Sequence, residues 1–139
     1  MWPALPLEFN VIGTPVSLQS ANPRARHDWQ TTVLAAARAI VQPESWAFDT
    51  SRLSVTMFYF PQAAMPGDLD NIVKLVLDAL EPNIYIDDSL IDRLVVQRFD
   101  PAATYTFASP TDTLAAAMAT RDPVLYVRLA EVNLEDVAA

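Results

Sequence analysis

The sequence predicts an α+β (mixed α/β) fold, with a small mixed sheet packed against two main helices in a single compact domain over residues 1–139. Three observations predict it. The length is that of one domain, and 52% hydrophobic residues with a mean hydropathy of +0.17 supply a sizeable core. Segments with strand character and segments with helical periodicity follow one another in the order strand, helix, strand, helix, strands. No repeat interrupts that order, and no apolar run reaches the 18 residues of a membrane span.

Leu7 to Ile12 alternates in strand fashion and stops at Gly13-Thr14-Pro15. Residues 16 to 27 are polar, and Trp29, Val33, Ala36, Ala37 and Ile40 then recur at helical spacing up to Gln42-Pro43. Leu53 to Phe60 is rich in aromatic and β-branched residues and is closed by Pro61, which suits a well-buried strand. Pro66-Gly67 punctuates the chain before a second helix, Asp68 to Leu80, whose Ile72, Leu75, Val76, Ala79 and Leu80 form one apolar stripe and which Pro82 ends. A short turn through Ile84-Tyr85-Ile86 leads to Asp87-Asp88. Ile91 to Phe99 and Val124 to Val132 read as two further strands. Between them, an insertion at about residues 100–123 holds an alanine-rich stretch, Leu114 to Ala119, expected as a short helix; Glu135 to Ala139 are expected to fray.

Composition removes many functions. Gly13 and Gly67 are the two glycines, so no Gly-rich dinucleotide loop or Walker-type phosphate loop can be assembled. With no cysteine and one histidine, disulfides, thiolate chemistry and multi-histidine zinc centres are excluded, and an intrachain metal site must use oxygen ligands. Nine Lys and Arg against 17 Asp and Glu give a formal net charge of −8. That balance argues against broad attraction to nucleic acid or anionic membrane, so a nucleic-acid role needs a local exception. The N-terminus has no positive leader or apolar h-region, and together with the absence of cysteine this predicts a soluble, cytoplasmic protein.

Eight of the 17 acids fall between Asp68 and Asp100, and Asp68, Asp70, Asp87 and Asp88 stand at element boundaries, where side chains can converge. Clustered carboxylates repel one another unless a cation neutralises them, and oxygen-only ligation favours Mg²⁺ or Mn²⁺. Asp70, Lys74 and Asp78 share one helix face, and Lys74 is the sole lysine. The chemistry suggested is metal-assisted phosphoryl transfer or hydrolysis, with lysine neutralising developing charge. Spacing alone leaves a plainer reading open, in which Asp70 and Lys74 form an ordinary i,i+4 ion pair and Asp68 is a helix N-cap. An EF-hand is excluded by Ile72 and Val73, and a dehalogenase-type DxD by the lack of a buried strand before it.

These blocks resemble the RusA-like Holliday junction resolvases, small endodeoxyribonucleases of prophages, phages and bacterial genomes. The core block D-x-D-N-x-x-K-x-x-x-D-A-L stands as Asp68 to Leu80, and the following aromatic-x-D-D as Tyr85 to Asp88. Phe9-x-Val11-x-Gly13-x-Pro15, then Arg24-x-Arg26 and Trp29, is similar to the family's opening. The resemblance implies that Asp68, Asp70 and Asp88 are the essential metal-binding carboxylates, supported by Asp87, and that Lys74 is the catalytic lysine. It implies Mg²⁺-dependent (Mn²⁺ possible) symmetric hydrolysis of phosphodiesters in four-way DNA junctions, in recombination and repair, by a homodimer with one site per subunit. It also implies a compact mixed α/β fold.

Other residues have two readings each. Arg24, Arg26 and His27, placed before the first helix, are candidates for DNA-backbone contact or members of a solvated loop. Arg93 and Arg98 either face the junction or pair with Asp92 and Asp100. Asn71 supports the metal site or is a plain first-turn residue. Trp29, Tyr59 and Phe60 are expected in the core, and Asp78 as a structural hydrogen-bonding group. Two further functions remain open: a RusA-like metal-binding module without nuclease activity, and a metal-dependent phosphohydrolase acting on a small substrate.

Overall fold

The computed structural model describes residues 1–63 and 68–132. The Pro66-Gly67 punctuation and the fraying expected over Glu135 to Ala139 fall outside the described residues. The strands are β1 (Leu7–Ile12), β2 (Leu53–Phe60), β3 (Ile91–Arg98) and β4 (Val124–Glu131), and the helices α1 (Pro23–Arg38), α2 (Asp70–Leu80) and α3 (Asp112–Ala119). The strands form one mixed sheet in the order β1-β4-β2-β3. The last strand inserts between the first two and is antiparallel to both, whereas β3 is parallel to β2. This is the compact α+β architecture expected from the sequence.

The parallel β2–β3 pair needs a crossover, and α2 supplies it. β1 and β2 also point the same way across β4, with α1 as their connection. The two helices lie side by side on one face of the sheet and run in the same direction. Leu18 N–H donates to Asn71 O at 2.7 Å, Gln30 Nε2 to Leu75 O at 3.1 Å, and Arg38 Nη2 to Asn83 Oδ1 at 2.8 Å, so contacts advance along both elements together. Trp29, Val33 and Ala37, at i, i+4 and i+8, bury the α1 stripe. Beneath it lie Phe9, Val11, Val55, Met57, Leu125 and Val127. Gly13 ends β1 at φ +139°, where a Cβ would stand 3.3 Å from the Trp29 ring; a larger residue is strained there on both counts.

Alternation sends Phe58, Phe60, Val124 and Tyr126 to the opposite face. Phe99, the residue after β3, and the segment expected as an insertion cover that face, where Tyr105, Phe107 and Leu114 of the insertion pack. Phe60 and Phe99 are stacked at 4.8 Å, and Phe99 and Tyr105 lie at 4.7 Å. Thr111 caps α3 by accepting from Leu114 N–H at 3.2 Å and donates its own hydroxyl to Glu8 Oε2 at 2.6 Å. β4 is consequently buried on both faces, and Val124, Leu125 and Val127 have no exposed surface.

One boundary differs from expectation. α1 begins at Pro23, ahead of Arg24, Arg26 and His27, which therefore lie in its first turns and not in a preceding loop. Asn22 caps the helix by accepting from Ala25 N–H at 3.1 Å, and Pro23 at the first position carries no N–H to leave unpaired. At the other end the helix stops at Arg38, so Ile40 leaves the apolar stripe and is exposed. Trp29, Tyr59 and Phe60 are core residues, as expected.

Phe99→Ala, which removes the ring at the centre of the second aromatic cluster, is expected to cost about 3 kcal/mol of stability or more, read as a lower midpoint in urea.

Candidate metal and phosphodiester site

Two elements meet at the site. The first is α2, whose buried stripe of Ile72, Leu75, Val76, Ala79 and Leu80 turns Asp70, Lys74 and Asp78 outward. Asp68 does not cap this helix with its carboxylate: its backbone carbonyl accepts from Asn71 N–H at 3.2 Å and its side chain is exposed. Glu81 leaves the helix in an extended conformation, φ −93° and ψ 137°, as expected of a residue that precedes proline.

The second element is the turn carrying Asp87 and Asp88. Its backbone joins the strand-like segment at Phe48, with Phe48 N–H donating to Ile84 O at 2.9 Å and Ile86 N–H to Phe48 O at 3.0 Å. Between these bonds the Tyr85 ring is fully buried, and its hydroxyl donates to Leu77 O at 2.6 Å, fastening the turn to α2. Asp87 Oδ1 accepts from Ser89 N–H at 3.3 Å and caps a single 3₁₀ turn, Asp88–Leu90. Arg52 grips the same turn: Nη2 donates to Ser89 O at 2.7 Å, and the guanidinium holds both oxygens of Asp92, with Nε to Oδ2 at 2.9 Å. Asp92 thus pairs with Arg52 and not with Arg93.

The meeting point is Lys74. Its Nζ donates to Asp78 Oδ1 at 2.8 Å and lies 3.6 Å from Asp88 Oδ2, so one ammonium bridges the helix and the turn. The plainer expectation of an Asp70–Lys74 ion pair is replaced by this arrangement, because Lys74 extends one turn toward the C-terminus. Among the described residues, Asp78, Glu81 and Asp88 are the set of three whose carboxylate oxygens all lie within 4.8 Å of one another. Asp68 and Asp70 stand at the other end of α2, Asp70 about 12 Å from Asp78 along the axis at 1.5 Å per residue.

Charge crowding shifts the proton affinities of the groups around the site. Lys74 is held above the ordinary lysine value, first by its hydrogen bond to Asp78, then by the charges of Asp78 and Asp88. Glu81 is pushed up by loss of surrounding solvent and by the negative charges of Asp88 and Asp87. Asp87 is lowered, chiefly by the Ser89 backbone N–H. Burial, reinforced by Glu81, Asp88 and Asp78, pushes the Tyr85 phenol well up, so it stays a neutral donor. Half-exposed hard oxygens around one ammonium are the donor set a hard divalent cation takes, and the carboxylates fit such an ion.

Asp70 and Lys74 also border an apolar groove of about 450 Å³ floored by Leu69 just before α2, by Val73 and Leu77 of α2 and by Leu94 and Val96 of β3. Since β3 alternates, Arg93 lies on the other face of the sheet, away from Lys74. Arg24 is exposed, with Asp28 at 3.9 Å. Arg26 donates to Ser20 O and is folded back on its own loop. Asn71 contributes backbone bonds at the start of α2.

The family model described as Endodeoxyribonuclease RusA matches residues 16–106. The chain belongs to the RusA family. The matched span runs from the loop before α1 through β3 and contains Lys74 and every acid of the site; β1, α3 and β4 lie outside it. Among curated proteins none matches the chain. RusA membership places the protein among endodeoxyribonucleases that act on DNA junctions, a class that uses a divalent metal.

Sequence reasoning assigned no role to Glu81 and Arg52. The signal for Glu81 is Pro82, which turns a helix-terminal acid out toward the Asp87-Asp88 turn. Arg52 carries no local signal, because both of its partners lie more than 35 residues away.

Two outcomes are expected. Because Lys74 is the only lysine, isotopic dimethylation gives it one NMR resonance beside that of the α-amine; its midpoint should lie above the ordinary lysine value of about 10.4 and fall in Asp78→Asn. The cationic form therefore persists through neutral pH and is lost only as pH rises. Tyr85→Phe, which leaves Leu77 O unpaired in the core, should cost about 1–2 kcal/mol in chemical denaturation.

Proposed function

We propose that the protein resolves four-way DNA junctions by Mg²⁺-dependent hydrolysis of symmetrically placed phosphodiesters, acting in the cytoplasm as a homodimer in recombination and repair. The observation that carries this reading is the Lys74 ammonium held between Asp78 and Asp88, which joins the two aspartate blocks of the RusA pattern in one place. In this reading Asp88, with Asp87 beside it, anchors the metal, and Asp68 and Asp70, which stand about 12 Å or more away along α2, become its ligands only if the two ends of the site draw together or a second ion binds between them. Asp78 and Glu81, whose oxygens neighbour those of Asp88, complete the acidic rim. Mn²⁺ is the natural substitute for Mg²⁺ at such oxygens.

A bound divalent ion supplies a lowered pKa for an attacking water and a counter-charge for the phosphate oxygens. The chain's own residues do the rest. Lys74, kept protonated by Asp78, places a positive charge where negative charge builds in the transition state. The apolar groove beside Asp70 and Lys74 lines one side of that charge with hydrocarbon. Two copies related by a two-fold axis match the two equivalent strands of a junction, which is why a dimer belongs to the reading. Arg24, Arg26 and Arg93 are weaker candidates for backbone contact, and Arg93 would reach DNA only across the far face of the sheet.

The test is cleavage of an end-labelled four-way junction at low salt with Mg²⁺ or Mn²⁺, with linear duplex as control. Paired symmetric nicks are expected from the wild type, with rates lowered about 100-fold or more in Asp70→Asn and in Lys74→Ala. A folded protein that binds Mn²⁺ and the junction yet leaves every strand intact overturns the hydrolytic reading and leaves a metal-dependent binding module.

A further inference from the structure

Trp46 and Trp2 stand edge to face at 5.0 Å with an interplanar angle of 89°, and each is about half exposed, at 57% and 47%. The backbone fixes the pair, since Trp46 N–H donates to Met1 O at 3.0 Å. Trp2 also walls a cleft of about 750 Å³ bounded by Met1, Ile40, Val41 and Glu44. Nothing in the core requires these rings: the buried stripe of α1 ends before Ile40, and Trp46 belongs to neither buried cluster.

Their position relative to the acidic site is set by the chain. Two residues beyond Trp46, Phe48 pairs with Tyr85, and three residues beyond Tyr85 stands Asp88. At about 3.5 Å per residue and about 4.8 Å per strand spacing, the Trp46 and Asp88 backbones lie within about 23 Å of each other, less than one turn of duplex DNA. The Arg38–Asn83 hydrogen bond ties the same ends of α1 and α2 together.

The geometry points to the Trp46–Trp2 pair as a base-stacking subsite for junction DNA, a proposal that rests on junction DNA being the substrate. The argument turns on charge. Several of the nine cationic side chains are committed within the protein: Lys74 to Asp78 and Asp88, Arg52 to Asp92, Arg38 to Asn83, Arg26 to Ser20. A chain of net charge −8 gains little affinity from phosphates, so an affinity source that ignores charge is needed. Stacking on an indole is one, because every base has a π face, and branch-point bases lose part of their stacking on neighbouring pairs. Glu44 on the cleft rim repels backbone phosphate but can accept from the exocyclic amino groups of bases, which favours base faces over backbone at this surface.

The experiment is anisotropy titration of a fluorescent four-way junction, and of linear duplex of the same sequence, with wild type, Trp46→Ala, Trp46→Phe and Trp2→Ala at two salt concentrations without divalent metal. Trp46→Ala is expected to weaken junction binding about ten-fold, equivalent to about 1.4 kcal/mol, with the salt slope unchanged, and Trp46→Phe to recover most of the loss. Circular dichroism melts check that the exposed substitutions leave the fold intact. Wild-type binding of the junction that Trp46→Ala and Trp2→Ala leave unaltered overturns the subsite alone. So does a change confined to self-association in sedimentation, which would make the surface a protein contact. Failure of the wild type to bind the junction overturns the substrate reading beneath it.

Discussion

Mutual repulsion of carboxylates is the constraint around which the site is built. Asp78, Glu81, Asp87 and Asp88 occupy the end of one helix and the turn after it, with one ammonium among them. Left to their own charges they would move apart, since like charges at such spacing disfavour one another's ionisation. Uncharged anchors oppose this. The Tyr85 hydroxyl bond to Leu77 O pins the turn from beneath, and Pro82 fixes the direction in which Glu81 leaves the helix. Arg52 adds a remote clamp through Ser89 O and Asp92. The repulsion is thereby held in place by burial, and a divalent cation entering the cluster would relieve it.

The two faces of the sheet divide the labour. On one, α1 and α2 bury the larger cluster and present the acids. On the other, the segment after Phe99 lays aromatic rings over Phe58, Phe60 and Tyr126. Thr111 and Tyr126 both donate to Glu8, so the second layer is tied to the edge strand as well as packed on the middle of the sheet. The expected insertion therefore builds the outer layer of the smaller of the two core clusters, although it falls mostly beyond the span the RusA family model matches.

Much of this was legible in the residue order because it is local. The apolar stripe of α2, the aromatic and β-branched run of β2 and the Tyr-x-Asp-Asp turn each announce themselves within a dozen residues. What was illegible is what depends on distant partners. The start of α1 was misplaced by the polar look of residues 16–27, although Asn22-Pro23 is itself a start signal. Lys74 had two acids within one turn, and only the folded position of Asp88 decides that it reaches forward to Asp78 and not back to Asp70. The sheet order was out of reach as well, because no local pattern says that the last strand enters between the first two.

That order has a consequence for biosynthesis. Every residue of the candidate site has been made by the time Asp92 is joined, yet β1 and β2 have no partner holding them together until β4, ending at Glu131, slides between them. A nascent chain halted before that point carries the acids and the lysine on a sheet split down its middle, with Val55, Met57 and Phe9 lacking the strand that pairs beside them. Joining β1 to β2 thus waits for residues 124–131, the last of the described strands, although every acid of the site precedes them in the chain.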